Sequence, residues 1–153
     1  MTTHTTEIYA STAAFASGRV AMSVVVRDPD GHTVTVATRV FGTATREEAA
    51  YRALLYGLWR AKRAGAQRVR VYTDHVEVVA QLHGNSEVPS ALVGLYLQVR
   101  AMLNAYRWRS LETIDRTRNA EAALAAMEAL DRPPDSEEVE TLPLWRSGER
   151  ALV

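Results

Sequence analysis

Between Thr6 and Phe41 the chain carries three short stretches that alternate with period two or run β-branched and apolar, and from Thr45 onward the apolar residues switch to helical spacing. Few folds accommodate that switch. Three extended segments joined by short turns form an antiparallel meander, and the helix that follows must cover one of its faces. Thr6–Ala14 reads as the first strand, and Ser17-Gly18 turns the chain into Arg19–Arg27, with its Val24-Val25-Val26 run. Asp28-Pro29-Asp30-Gly31 places proline second and glycine fourth in a turn. Thr33–Phe41 then alternates as a third strand.

Thr45 followed by Glu48 is a capping-box pattern, and Ala49, Ala53, Leu54, Leu58 and Ala61 share one face of a helix that Gly65 ends. Arg68–Thr73 alternates again as a fourth strand. Asp74 and Glu77 repeat the capping pattern and open a short helix to about Leu82. Pro89 heads a further helix to about Tyr106, Trp108–Asp115 is a fifth strand, and Asn119–Leu130 is a final alanine-rich helix. Pro133-Pro134-Asp135 marks the end of the regular domain, so residues 1–130 form one domain and residues 131–153 an acidic tail. Leu142-Pro143-Leu144-Trp145 in that tail either packs back on the domain or docks a partner.

A length of 153 residues fits one domain, since domains run roughly 100–200 residues. The absence of cysteine excludes disulfides, thiolate metal sites and cysteine nucleophiles. No apolar run approaches the ~20 residues of a membrane span, and the amino terminus lacks a basic stretch leading into an apolar one, so a soluble, cytoplasmic protein with no membrane partner is expected. Eighteen basic residues balance eighteen acidic ones, which removes net positive charge as an argument for nucleic-acid binding. Locally the balance tilts: Arg46–Arg70 holds seven basic residues against two acidic, and Lys62 is the chain's single lysine. No histidine pair stands at i and i+4, and there is no glycine-rich phosphate loop.

Several segments together resemble the ribonuclease H family over about Ile8 to Leu130. These are Tyr51-Arg52-Ala53-Leu54-Leu55-Tyr56-Gly57-Leu58, Val71-Tyr72-Thr73-Asp74 with Val78-Val79-Ala80-Gln81-Leu82, and Arg116-Thr117-Arg118-Asn119-Ala120-Glu121-Ala122. The resemblance implies an α/β fold: a mixed five-stranded sheet, three antiparallel strands and then parallel ones, flanked by helices. It also implies hydrolysis of the RNA strand of an RNA–DNA hybrid by two Mg²⁺ ions held between four carboxylates.

Carried onto this chain, that carboxylate pattern survives at one position. The family's strand-one aspartate falls at Ser11, its helix glutamate at Ala50 and its last-helix aspartate at Ala123, leaving Asp74; the histidine of many members falls at Thr113. A single carboxylate leaves two dications far from neutral, and a partly desolvated cleft does not hold such an excess of charge. Glu47, which shares a helix face with Ala50, and Glu48, Asp115 and His75 are the candidates for a rebuilt site. Asp74 also has a plain reading as a helix N-cap.

The expectation is therefore a pseudoenzyme: a degenerate ribonuclease H-like domain that binds an RNA–DNA hybrid or DNA through Thr45, Arg46, Arg116, Arg118 and Asn119, with no hydrolysis, no metal and no other cofactor. Two alternatives stand beside it. One is a protein-interaction or scaffolding module; the other is a metal-dependent nuclease using Mg²⁺ or Mn²⁺ at a rebuilt site.

Overall fold

The computed structural model describes residues 4–15 and 18–141. Its elements run β1 (Thr6–Ala14), β2 (Val20–Arg27), β3 (Thr33–Phe41), α1 (Arg46–Arg63), β4 (Arg68–Thr73), α2 (Val76–Leu82), a 3₁₀ turn at Ser90–Leu92, α3 (Val93–Asn104), β5 (Trp108–Thr113), α4 (Ala120–Ala129) and β6 (Glu137–Thr141). The expected elements are present with ends shifted by a few residues. Among the described residues no helix is long and apolar enough to cross a membrane.

The strands lie in the order β5-β4-β1-β2-β3-β6. β1 is central. It pairs antiparallel with β2 and parallel with β4, Ala10 lying opposite Thr73. Because β1 and β4 run the same way, their carboxyl ends reach one edge of the sheet together, and that edge holds the candidate site.

The helices divide between the two faces. Ile8, Ala10, Val24, Val69, Val71 and Leu111 join the core built around α1, with Leu54, Leu58, Val78, Val99 and Leu103 from the helices. Ala126, Ala129 and Leu130 form a second, smaller core with Ala13, Ala21 and Val40. Ser23, fully buried on β2, donates a short hydrogen bond to the Ala122 carbonyl and ties α4 to the sheet. At the end of α1, Gly65 takes φ +96°, a conformation that only glycine adopts at little cost.

The sheet has six strands where five were expected. The sixth comes from residues read as the tail: β6 pairs antiparallel with β3, Arg39 opposite Glu137 and Thr35 opposite Thr141. Its Glu137-Glu138-Val139-Glu140-Thr141 sequence lacks an apolar face, because an edge strand is held by backbone bonds and its charges discourage further pairing. Asp135 at φ 67° donates its amide to the Val40 carbonyl, and Arg132 reaches both Thr38 and Glu138, which fixes the entry. Leu142-Pro143-Leu144-Trp145 lies outside the described residues.

Candidate functional site

Ser11 follows Ala10 on β1 and Asp74 follows Thr73 on β4, so the parallel register brings the two together. Ser11 Oγ donates to Asp74 Oδ2 at 2.7 Å, and Asn119 Nδ2 donates to the same oxygen at 2.9 Å. Arg116 Nη1 lies 3.6 Å from Asp74 Oδ1, 3.1 Å from the Thr12 carbonyl and 3.4 Å from Ser11 Oγ. The Asp74 side chain is 5% exposed and the Arg116 side chain 41%. The carboxylate is thus buried beneath a guanidinium that itself faces solvent.

This overturns the N-cap reading of Asp74. The N-cap of α2 is His75, whose Nδ1 accepts from the Val78 amide at 3.4 Å. Asp74 turns the other way, towards β1 and the start of α4. The capping box at α1 is also only half formed: Thr45 Oγ1 accepts from the Glu48 amide, while the Glu48 carboxylate pairs with Arg52 at 3.1 Å.

The positions that carry carboxylates in the resembled family are small and buried. Ala50 is 1% exposed and Ala123 6%. Glu47 points elsewhere: its Oε2 accepts from Gln81 Nε2 at 3.0 Å, and Gln81 Oε1 accepts from the Tyr51 hydroxyl at 2.6 Å. These bonds join α1 to α2 and occupy the carboxylate that shares a helix face with Ala50. Gln81, 1% exposed, was not singled out from the sequence. A lone polar residue on a short helix carries no signal until its partner is known.

Asp115 is held in the β5–α4 loop, accepting from Thr117 Oγ1 at 2.6 Å and the Arg118 amide at 2.9 Å. Those two donors, Thr117 first, hold its carboxyl below the usual range. Arg46 and Arg118 are exposed, as is Thr45, whereas Asn119 is buried beneath the cleft, its amide shared between Asp74 and the Ala10 carbonyl. Of the five expected contact residues, Arg116 and Asn119 join Asp74 directly. Arg46 stands close enough to His75 to act on its charge.

Burial pushes the His75 pKa down, with Arg46 acting the same way and Glu47 and Asp74 opposing. A neutral imidazole also leaves Nδ1 free to accept the cap bond. With the folded pKa below that of the unfolded chain, the contribution to stability is complete above about pH 6.5 and is lost as pH falls through the folded value. Urea titrations should therefore give a steeper fall in stability below pH 6.5 for the native protein than for His75→Asn, whose amide oxygen keeps the cap without titrating.

The residues at this edge do not fit a pair of divalent metal ions. Thr12 Oγ1 and Asn119 Oδ1 are buried oxygens without a hydrogen-bond partner among the described residues, but as metal ligands both are neutral. The one carboxylate already faces a guanidinium, and a dication there would stand beside a fixed positive charge. Among the described residues, the group of three metal-capable side chains within 4.8 Å of one another is Asp28, Asp30 and His32, at the β2–β3 turn. There Asp28 Oδ1 accepts the amides of Asp30 and His32, which accounts for the cluster as a turn.

A family model described as reverse transcriptase-like matches residues 9–129. The bifunctional protein Rv2228c of Mycobacterium tuberculosis is 33% identical over 121 residues, covering 78% of this chain and 33% of the relative. The chain thus spans about a third of the length of the curated relatives it matches. The solved N-terminal RNase H domain of that protein superposes with a TM-score of 0.76 at 29% identity, over 84% of this chain and 97% of the domain. RNase H1 from Halobacterium salinarum superposes at 0.75 with 28% identity, over 83% and 98%. LC11-RNase H1, solved in complex with an RNA/DNA hybrid, shares the fold at a TM-score of 0.74 and 24% identity, over 82% and 96%.

Proposed function

The chain belongs to the reverse transcriptase-like family, with a ribonuclease H-like fold, and from that premise we propose that it is a nucleic-acid-binding domain that grips an RNA–DNA hybrid or DNA without cleaving it. The observation that carries this reading is the state of Asp74. Its oxygens already receive Ser11, Asn119 and Arg116. A hydrolytic centre needs carboxylates open to metal ions, and here an internal cation takes that role.

The same exchange favours anion binding. A cluster of carboxylates repels phosphates unless metal ions screen it, whereas this cleft presents Arg116 backed by a single buried carboxylate. Arg46 on the first turn of α1 and Arg118 on the loop before α4 add two exposed guanidinium groups. Arginine pairs with phosphate oxygens through a planar fork, which suits it to a backbone of fixed geometry. Binding in this arrangement needs no metal. That RNase H1 relatives include one captured on a hybrid supports the choice of ligand.

The test is a fluorescence-anisotropy titration of labelled hybrid and DNA duplexes at several salt concentrations, in EDTA and in Mg²⁺. Binding should persist in EDTA, gain nothing from Mg²⁺ and fall steeply with salt. Arg46→Ala with Arg118→Ala should flatten the log–log salt slope by about two, near 0.9 per lost phosphate contact. Metal-dependent cleavage of the hybrid that disappears in Asp74→Asn would refute the non-hydrolytic half of the proposal. No duplex binding at low salt would refute the other half.

A further inference from the structure

A cavity of about 500 Å³ lies between the helices and the β3–β6 side of the sheet, and the nucleic-acid reading makes no use of it. Leu55, Tyr56 and Trp59 line it from α1, Ala101 and Met102 from α3, and Glu137 from β6. Apolar side chains on these elements stay open to solvent. Trp59 is 42% exposed, Leu97 on α3 57% and Val139 on β6 43%. Leu97 and Ala101 are one helical turn apart, so the open apolar surface runs on along α3.

The chain leaves the sheet on this same side. Ala37 and Phe41 belong to the core beneath α1, so Arg39 between them faces α1 too, as do its β6 partner Glu137 and Val139 opposite Ala37. β6 ends at Thr141, opposite Thr35, whose hydroxyl accepts from Arg60 Nε of α1 at 3.5 Å. The next residues are Leu142-Pro143-Leu144-Trp145, the apolar cluster of the tail. Four residues span at most ~13–14 Å, which is also the length of strand that separates Glu137 from Thr141. A chain that turns back after Thr141 therefore brings Trp145 level with Glu137. Glu137 makes no salt bridge among the described residues, and Arg146 follows Trp145 directly.

We infer that this cavity is the seat of the chain's own segment Leu142–Trp145, with the Trp145 ring beside Tyr56 and Trp59, the leucines over the exposed apolar rim, and Arg146 at Glu137. The inference does not rest on the nucleic-acid reading. It supplies what β6 lacks: Val139 is the single apolar residue of that strand, and burying a tryptophan removes roughly 150–250 Å² from water. The segment thereby clamps the edge strand against α1.

The chain has no cysteine, so engineered thiol pairs report proximity without background. Ala101→Cys with Ser147→Cys puts one thiol at the cavity and the other just past the seated segment. Leu124→Cys with Ser147→Cys is the control, since Leu124 is exposed on α4, across the sheet. Under mild oxidation the first pair should close as a monomeric disulfide about tenfold faster than the control, because seating raises the effective concentration of the tail thiol. Adding Trp145→Asp to the first pair should remove that advantage. Equal rates for the two pairs would overturn the inference, as would an advantage that survives Trp145→Asp. Disulfide-linked dimers from the first pair would overturn it as well and give the cavity to a second copy of the chain.

Discussion

Asp74→Ala is expected to lower stability by about 3 kcal/mol, a fall in melting temperature of roughly 6–12 °C for a domain of this size. Asp74 accepts hydrogen bonds from Ser11 and Asn119 and stands beside Arg116. Removing it strands the Ser11 hydroxyl and leaves the guanidinium without its counter-charge. Bonds to a charged acceptor contribute about 1.5–3 kcal/mol each. The Arg116 pair adds less, since that side chain is 41% exposed and solvent screens it.

The sign of this change separates two kinds of site. In a working cluster of carboxylates without metal the groups repel one another, so deleting one relieves strain and raises the melting temperature. Here the deletion should lower it. Thermal and urea unfolding in EDTA make the comparison. An unchanged or raised midpoint for Asp74→Ala would mean that the carboxylate is held for chemistry and not by its neighbours.

Gly57→Ala should reduce stability by about 2 kcal/mol, lowering the melting temperature by roughly 4–8 °C, although alanine is the better helix former by ~1 kcal/mol. A Cβ built at Gly57 would stand 2.6 Å from Ile8 Cγ2 and 2.8 Å from Val24 Cγ2. Both partners are fully buried side chains on the two central strands, so neither swings aside. Relief requires α1 to lift from the sheet, which also shifts Ala50 and Glu47 at the site. Gly94→Ala in α3 is the matched control: nothing lies within 4 Å of its Cβ, so the propensity gain should appear as slightly raised stability. Equal midpoints for the two variants would mean that α1 is less tightly seated than the 2.6 Å approach implies.

Much of this arrangement is written locally. Period-two stretches, the Asp28-Pro29-Asp30-Gly31 turn, the Thr45 cap and Gly65 act over a few residues, and each element they mark is present. The residues Ser11, Ala50 and Ala123, where the family resemblance leads one to expect carboxylates, are equally legible without coordinates. Two readings failed for a common reason. β6 has no apolar face to announce it, being held by backbone bonds to a strand about a hundred residues earlier. Asp74 satisfies the local pattern of a cap, yet stronger partners on β1 and in the β5–α4 loop draw it away.

Sequence by itself determined the succession of elements as far as α4, the apolar face of α1 and the scarcity of acidic groups at the sheet's edge, because propensity, turn chemistry and side-chain identity are short-range properties. Only the tertiary structure decided that Arg116 answers Asp74, that Glu47 serves Gln81, and that Tyr9, Tyr72 and Trp108 form one band with arginines. Those pairings join residues from separate strands, helices and loops. Their energy depends on distance in space, which no local pattern encodes.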